Sequence, residues 1–111
     1  MHSSELLKGT LQTIILKLLA DQTRMYGYEI TQRVKELSEG SIQLTEGALY
    51  PTLHRLEAEG FLKTETVEVG KRIRKYYFLT KSGRVSSNER VDEFVSFVKT
   101  MRVVLKLKAQ S

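Results

Sequence analysis

Gly47-Ala-Leu-Tyr-Pro-Thr-Leu-His-Arg-Leu-Glu-Ala-Glu-Gly60-Phe-Leu62 is the stretch that decides the fold of this chain. Leu49, Leu53 and Leu56 stand at i, i+4 and i+7, so they share one face of a helix that turns away from water. Tyr50, Thr52, His54 and Arg55 fall toward the other faces, an aromatic and hydrogen-bonding set suited to entering a groove on a partner. Thr45 stands just upstream, where its hydroxyl can accept from the amides of the first turn. Gly60 ends the pattern. Pro51 lacks an amide donor and crowds the carbonyl four residues back, so a local kink is expected inside a helix over about 46–59.

Working upstream, Leu7, Leu11, Ile14 and Leu18, flanked by Leu6, Ile15 and Leu19, form a broad apolar stripe that predicts a first helix over 5–20. Tyr26, Ile30, Val34 and Leu37 predict a second over 27–37, with Tyr26 and Tyr28 as core and backbone-anchoring residues. Ser38-Glu39-Gly40 supplies a turn, and Ser41 to Leu44 reads as a short extended piece.

Downstream, residues 61–69 and 73–79 are rich in β-branched and aromatic residues on either side of Gly70-Lys71-Arg72, which predicts a two-stranded hairpin with a basic tip. Tyr77 and Leu79 share the inward face, and Tyr76 and Phe78 the outward one. A last helix starts at the capping Thr80, although Ser82 and Gly83 weaken its first turn. Val91, Phe94, Val98, Met101 and Leu105 alternate steps of three and four, the seam of a coiled coil about two heptads long. Such a seam asks for a second copy of the chain.

The order helix, helix, short strand, helix, hairpin is that of a winged helix-turn-helix, here mainly α with a small β-hairpin and a long C-terminal helix. Residues 1–80 are expected to form the DNA-binding domain and 81–111 the dimerisation helix. On double-stranded DNA the third helix would read the major groove through Thr45, Tyr50, Thr52, His54 and Arg55. Lys71, Arg72, Arg74 and Lys75 would meet backbone phosphates.

Charge placement agrees with this division. The 111 residues carry a net charge of +5, but residues 1–60 hold six Lys/Arg against eight Asp/Glu, while residues 61–111 hold twelve against five. The positive field belongs to the second half. With no cysteine and two distant histidines, His2 and His54, the chain offers neither a nucleophile with a base nor a metal-ligand set, and no enzyme, metal or cofactor is expected. The apolar clusters at 11–20 and 94–107 are interrupted by Lys, Gln or Arg well short of the roughly 20 residues of a bilayer span, so no membrane association is expected. No signal peptide is legible, which predicts a cytoplasmic protein.

Glu5-Leu-Leu-Lys-Gly-Thr-Leu11, Tyr26-Gly-Tyr-Glu-Ile30, Gly47 to Gly60 and Arg74-Lys-Tyr-Tyr-Phe-Leu-Thr80, in that order and spacing, resemble the PadR family of bacterial transcriptional regulators over about residues 5–83. The resemblance implies a homodimeric winged-helix repressor that releases DNA when a small aromatic or drug-like effector binds. The single helix after Thr80 looks like the short subfamily, whose members dimerise through that helix and the first one, which implies contacts by Leu7 and Leu11 beside the seam residues. Some short members stack a flat ligand on a tryptophan of the last helix. This chain has no tryptophan, so Phe94 and Phe97 are the candidates for effector binding. Phe78 and Ile73 depart from the family's more basic wing. The alternative function is a protein-interaction module whose winged helix no longer binds DNA.

Overall fold

The computed structural model describes residues 3–108, so His2 lies outside the described residues. Four helices, α1 (Ser4–Asp21), α2 (Gly27–Leu37), α3 (Glu46–Ala58) and α4 (Lys81–Val104), pack with an antiparallel sheet of β1 (Met25–Tyr26), β2 (Leu62–Val69) and β3 (Arg72–Leu79). The strand order is β1-β3-β2.

The expected short strand at Ser41–Leu44 is not formed. The third strand lies before α2 instead, where Met25 pairs with Tyr77 and Tyr26 with Tyr76. Tyr26 makes this placement possible: it is extended, serves as the N-cap of α2, and receives the Glu29 carboxylate on its own amide at 3.1 Å. A single residue thus ends a strand and starts a helix.

Ile15, Leu16 and Leu19 of α1, Ile30 and Val34 of α2, Leu49, Leu53 and Leu56 of α3, and Met25, Leu62, Tyr77 and Leu79 of the sheet form one buried core. The leucine row of α3 is completely buried, and its burial carries the helix uninterrupted through Pro51, whose missing amide costs one hydrogen bond. Gly60 follows with φ 83°, and the amides of Gly60 and Phe61 donate to the carbonyls of Glu57 and Leu56 at 3.0 and 2.9 Å. This is a Schellman close, which a residue with a side chain would resist.

β2 and β3 pair along their whole length, from Leu62 with Leu79 to Val69 with Arg72. The turn is therefore Gly70-Lys71 alone. Gly70 has φ 64° and Lys71 is not among the positive-φ residues, the geometry of a type II′ turn, whose twist suits a hairpin. Tyr77 and Leu79 are buried and Tyr76 and Phe78 half-buried, as the alternation predicts. Tyr28, expected in the core, is instead 64% exposed on α2.

α4 lies against α1. Gly83 and Ser87 are its buried residues, and Arg90 donates to the side-chain oxygens of Gln12 on α1 and Ser86 on α4. Beyond that point most of its side chains are exposed, and the molecule measures 54 × 29 × 24 Å.

Candidate nucleic-acid interface

α3 presents its second face to solvent because the leucines fix the first. His54 and Arg55 are exposed on it, with the His54 ring 6.4 Å from the half-buried Tyr50 ring. The other three expected contacts already serve the fold. The Thr45 hydroxyl accepts from the Ala48 amide at 3.2 Å, and that of Thr52 donates to the Ala48 carbonyl at 3.0 Å. Tyr50 packs against the core with its phenol against Gly27, where a Cβ would collide with the ring. Its hydroxyl end is thereby held between α2 and α3.

The four wing cations differ in the same way. Lys71 and Arg72 are exposed at the tip and make no ion pair among the described residues. Lys75 reaches back to Glu57 of α3 at 3.8 Å and lies 5.5 Å from the Tyr77 ring. Thr64 of β2 donates to the same Glu57 carboxylate at 3.3 Å, so the hairpin base is tied to α3 from both strands.

Arg74 faces the opposite side of the sheet, 4.4 Å above the Tyr26 ring. Tyr26 meets Tyr76 edge-on at 5.5 Å, and Arg24 lies 4.2 Å over Tyr76 and 3.8 Å from Glu65. Two arginines and two tyrosines thus interleave into a ladder joining the start of α2 to the wing. Tyr76 is the main influence holding the Arg74 guanidinium above its ordinary pKa. Arg24 and the cation on the Phe78 ring, Lys63 at 4.9 Å, escaped the sequence reading. The signal for Arg24 is its place immediately before a strand whose outward residue is aromatic.

The remaining expected residues gather between α1 and α4. Phe94, Phe97, Val98 and Met101 line an open groove of about 1030 Å³ together with Leu6 and Leu7 of α1. Val91 is half-buried, while Leu105 is 61% exposed near the free end. Leu11, expected beside the seam, is 4% exposed and packs in the domain's own core. Among the described residues no cluster of three metal-ligating side chains occurs, and no helix is long and apolar enough to cross a membrane.

Comparison with known proteins agrees with this architecture. The transcriptional regulator Rv3488 of Mycobacterium tuberculosis is 39% identical over 85 residues, covering 77% of this chain and 76% of its own. A transcriptional regulator from Clostridium thermocellum superposes with a TM-score of 0.83 at 29% identity, over 92% of this chain and 96% of that one. Bacillus subtilis PadR, solved in complex with operator DNA, has a TM-score of 0.65 at 32% identity and shares 73% of this chain with 46% of its own. A family profile for the PadR-like transcriptional regulators matches residues 15–89, from the core of α1 through the wing into α4. With that match and the 39% identity to a transcriptional regulator, this chain belongs to the PadR-like family of transcriptional regulators.

Proposed function

We propose that the chain binds double-stranded DNA as a homodimer and represses transcription until a small aromatic or drug-like effector releases it. One observation carries the DNA reading: among the described residues Lys71 and Arg72 have no ion-pair partner, at the end of a hairpin whose base is tied to α3 through Glu57. Cations held this way meet phosphates while α3 enters the major groove, and they gain affinity by releasing counterions. His54 and Arg55 are the exposed α3 contacts. Thr45, Tyr50 and Thr52 lie beside them with their polar atoms partly engaged, and Arg74 and Lys75 orient the wing as well as charging it. The operator complex of the similar Bacillus subtilis protein supports the reading.

The dimer forms through α4 and the start of α1, with Val91, Phe94, Val98, Met101, Leu105 and Leu7 in the contact. Phe94 and Phe97 supply the aromatic wall for an effector. Two α3 copies then face DNA about one turn, roughly 34 Å, apart, and ask for an operator with two-fold symmetry.

The test is a Lys71→Ala/Arg72→Ala double variant, measured for DNA binding against salt. Binding should weaken on every sequence, and the log–log slope should fall by about 0.9 for each lost phosphate contact. An unchanged slope removes the wing from the mechanism. No specific shift of the chain's own upstream DNA by the unaltered protein would overturn the reading in favour of a protein-interaction module.

A further inference from the structure

The first turn of α4 contains Ser82 and Gly83, residues that neither helix propensity nor core packing calls for. The structure gives each of them a bond or a contact across to the end of α3. Thr80 donates through its hydroxyl to the Gly60 carbonyl at 2.6 Å, and Ser82 donates to the same oxygen at 3.0 Å. The Thr80 amide donates to the Phe61 carbonyl at 3.0 Å, and the Thr80 hydroxyl accepts from the Gly83 amide at 3.0 Å. Gly83 is buried directly against the Phe61 carbonyl oxygen, which a Cβ would strike.

Gly60 and Phe61 are themselves the two residues that close α3, Gly60 by its left-handed turn and both by donating their amides to the last-turn carbonyls. The C-terminal end of α3 and the N-terminal end of α4 are therefore joined backbone to hydroxyl and backbone to backbone. Propensity is sacrificed at 82–83 where the two chain segments touch.

We propose that this joint sets the angle between α3 and α4 and thereby, in a dimer built on α4, the separation of the two α3 copies. Thr80, Ser82 and Gly83 are positioning residues for operator spacing. The inference rests on the reading of α3 as the DNA-facing helix and α4 as the subunit contact. Leverage makes it consequential: the 24 residues of α4 span about 36 Å, so a tilt of about 10° at its start moves its far end by about 6 Å.

Two measurements separate failure of the joint from failure of the DNA reading. The chain has no cysteine, so Ala58→Cys and Lys99→Cys, both exposed, take spin labels at α3 and α4 alone. Pulsed electron resonance on the labelled full chain, diluted with unlabelled chain, reads the α3–α4 distance with neither DNA nor effector. A narrow distribution is expected, displaced or broadened by Gly83→Ala, and a folded Gly83→Ala protein with an unchanged distribution overturns the proposal. Should Gly83→Ala not fold, Thr80→Val is compared with Thr80→Ser, which keeps the hydroxyl. Broadening in the first and none in the second is expected, and identical behaviour overturns the proposal.

The second measurement uses DNA carrying paired half-sites at graded spacings. The variant should lose about tenfold at the spacing preferred by the unaltered chain, the size of one lost base contact, and less on a single half-site. An unchanged spacing preference with a folded variant also overturns the joint. Absence of DNA binding by the unaltered chain overturns the DNA reading, and with it the link from the joint to operator spacing.

Discussion

α3 and α4 both carry rows of large apolar side chains, yet only α3 has them covered by its own chain. Leu49, Leu53 and Leu56 of α3 are fully buried, whereas Phe94, Phe97 and Leu105 of α4 are 42%, 54% and 61% exposed. α3 is short and central, flanked by α1, α2 and β2. α4 is nearly twice as long, yet Gly83 and Ser87 are its buried residues. The difference teaches where each helix has work left to do. α3 has spent its apolar face and offers polar groups, which suits docking onto a polar, hydrated partner such as DNA, while α4 still has apolar surface to remove from water.

The largest expected effect breaks the covered side of this contrast. Leu53→Ala should destabilise the fold by about 2 to 5 kcal/mol, since it deletes a fully buried side chain in a close-packed core, and denaturant unfolding measures the loss. A cost under about 1 kcal/mol would mean that the leucine row does not hold α3. Next, Phe94→Glu and Met101→Glu attack the uncovered side. Each should weaken self-association about tenfold in sedimentation, while the far-ultraviolet spectrum of the winged helix is retained. Unfolding in place of dissociation would put those residues in the domain's own core.

Smaller changes sharpen the picture of α3. Thr45→Ala should cost about 1 kcal/mol by removing the N-cap, and Thr45→Ser should restore it. If serine fails to restore stability, the hydroxyl is not what starts the helix. The smallest effect concerns Tyr77, whose phenol is pushed above its ordinary pKa, first by burial and then by the Glu57 charge. A raised value means that the folded chain binds this proton more tightly than the unfolded one. Its contribution is complete below the ordinary phenol value of about 10 and is lost as pH rises through the higher folded value. Tyr77→Phe should accordingly flatten the alkaline fall in the urea midpoint. An equally steep fall would assign it to other groups.

Much of this architecture is legible in the sequence. Helix periods at Leu7 to Leu18, Ile30 to Val34 and Leu49 to Leu56, threonine caps at 45 and 80, and glycines at 60 and 70 are local signals, and local signals survive folding. The strand at Met25–Tyr26 is two residues long and exists only because Tyr76 and Tyr77 come to meet it, so no periodicity could announce it. Ser41 to Leu44 looked extended but finds no neighbouring strand.

Site chemistry was legible by residue type and less so by occupation. Sequence marks Thr45, Thr52, Arg74 and Lys75 as polar groups near the expected contact. The Thr45 cap is legible beforehand, but only the fold reveals that Thr52 bonds the Ala48 carbonyl, that Arg74 lies on Tyr26, and that Lys75 is held by Glu57. A helix stripe wide enough for two neighbours likewise does not say which residues each neighbour takes, and Leu11 is buried in the domain's own core.

The ladder of Arg24, Tyr76, Tyr26 and Arg74 has an optical consequence. The chain holds no tryptophan, and its tyrosines stand at 26, 28, 50, 76 and 77, all within the winged helix, while α4 contributes only phenylalanine from 94 onward. Ultraviolet emission from the unlabelled protein therefore reports on the start of α2, the middle of α3 and the wing, and is nearly silent about α4. Titration with DNA should alter that emission directly, whereas subunit exchange leaves it unchanged except through α3 and the wing. One native chromophore set thus follows the winged helix without any label.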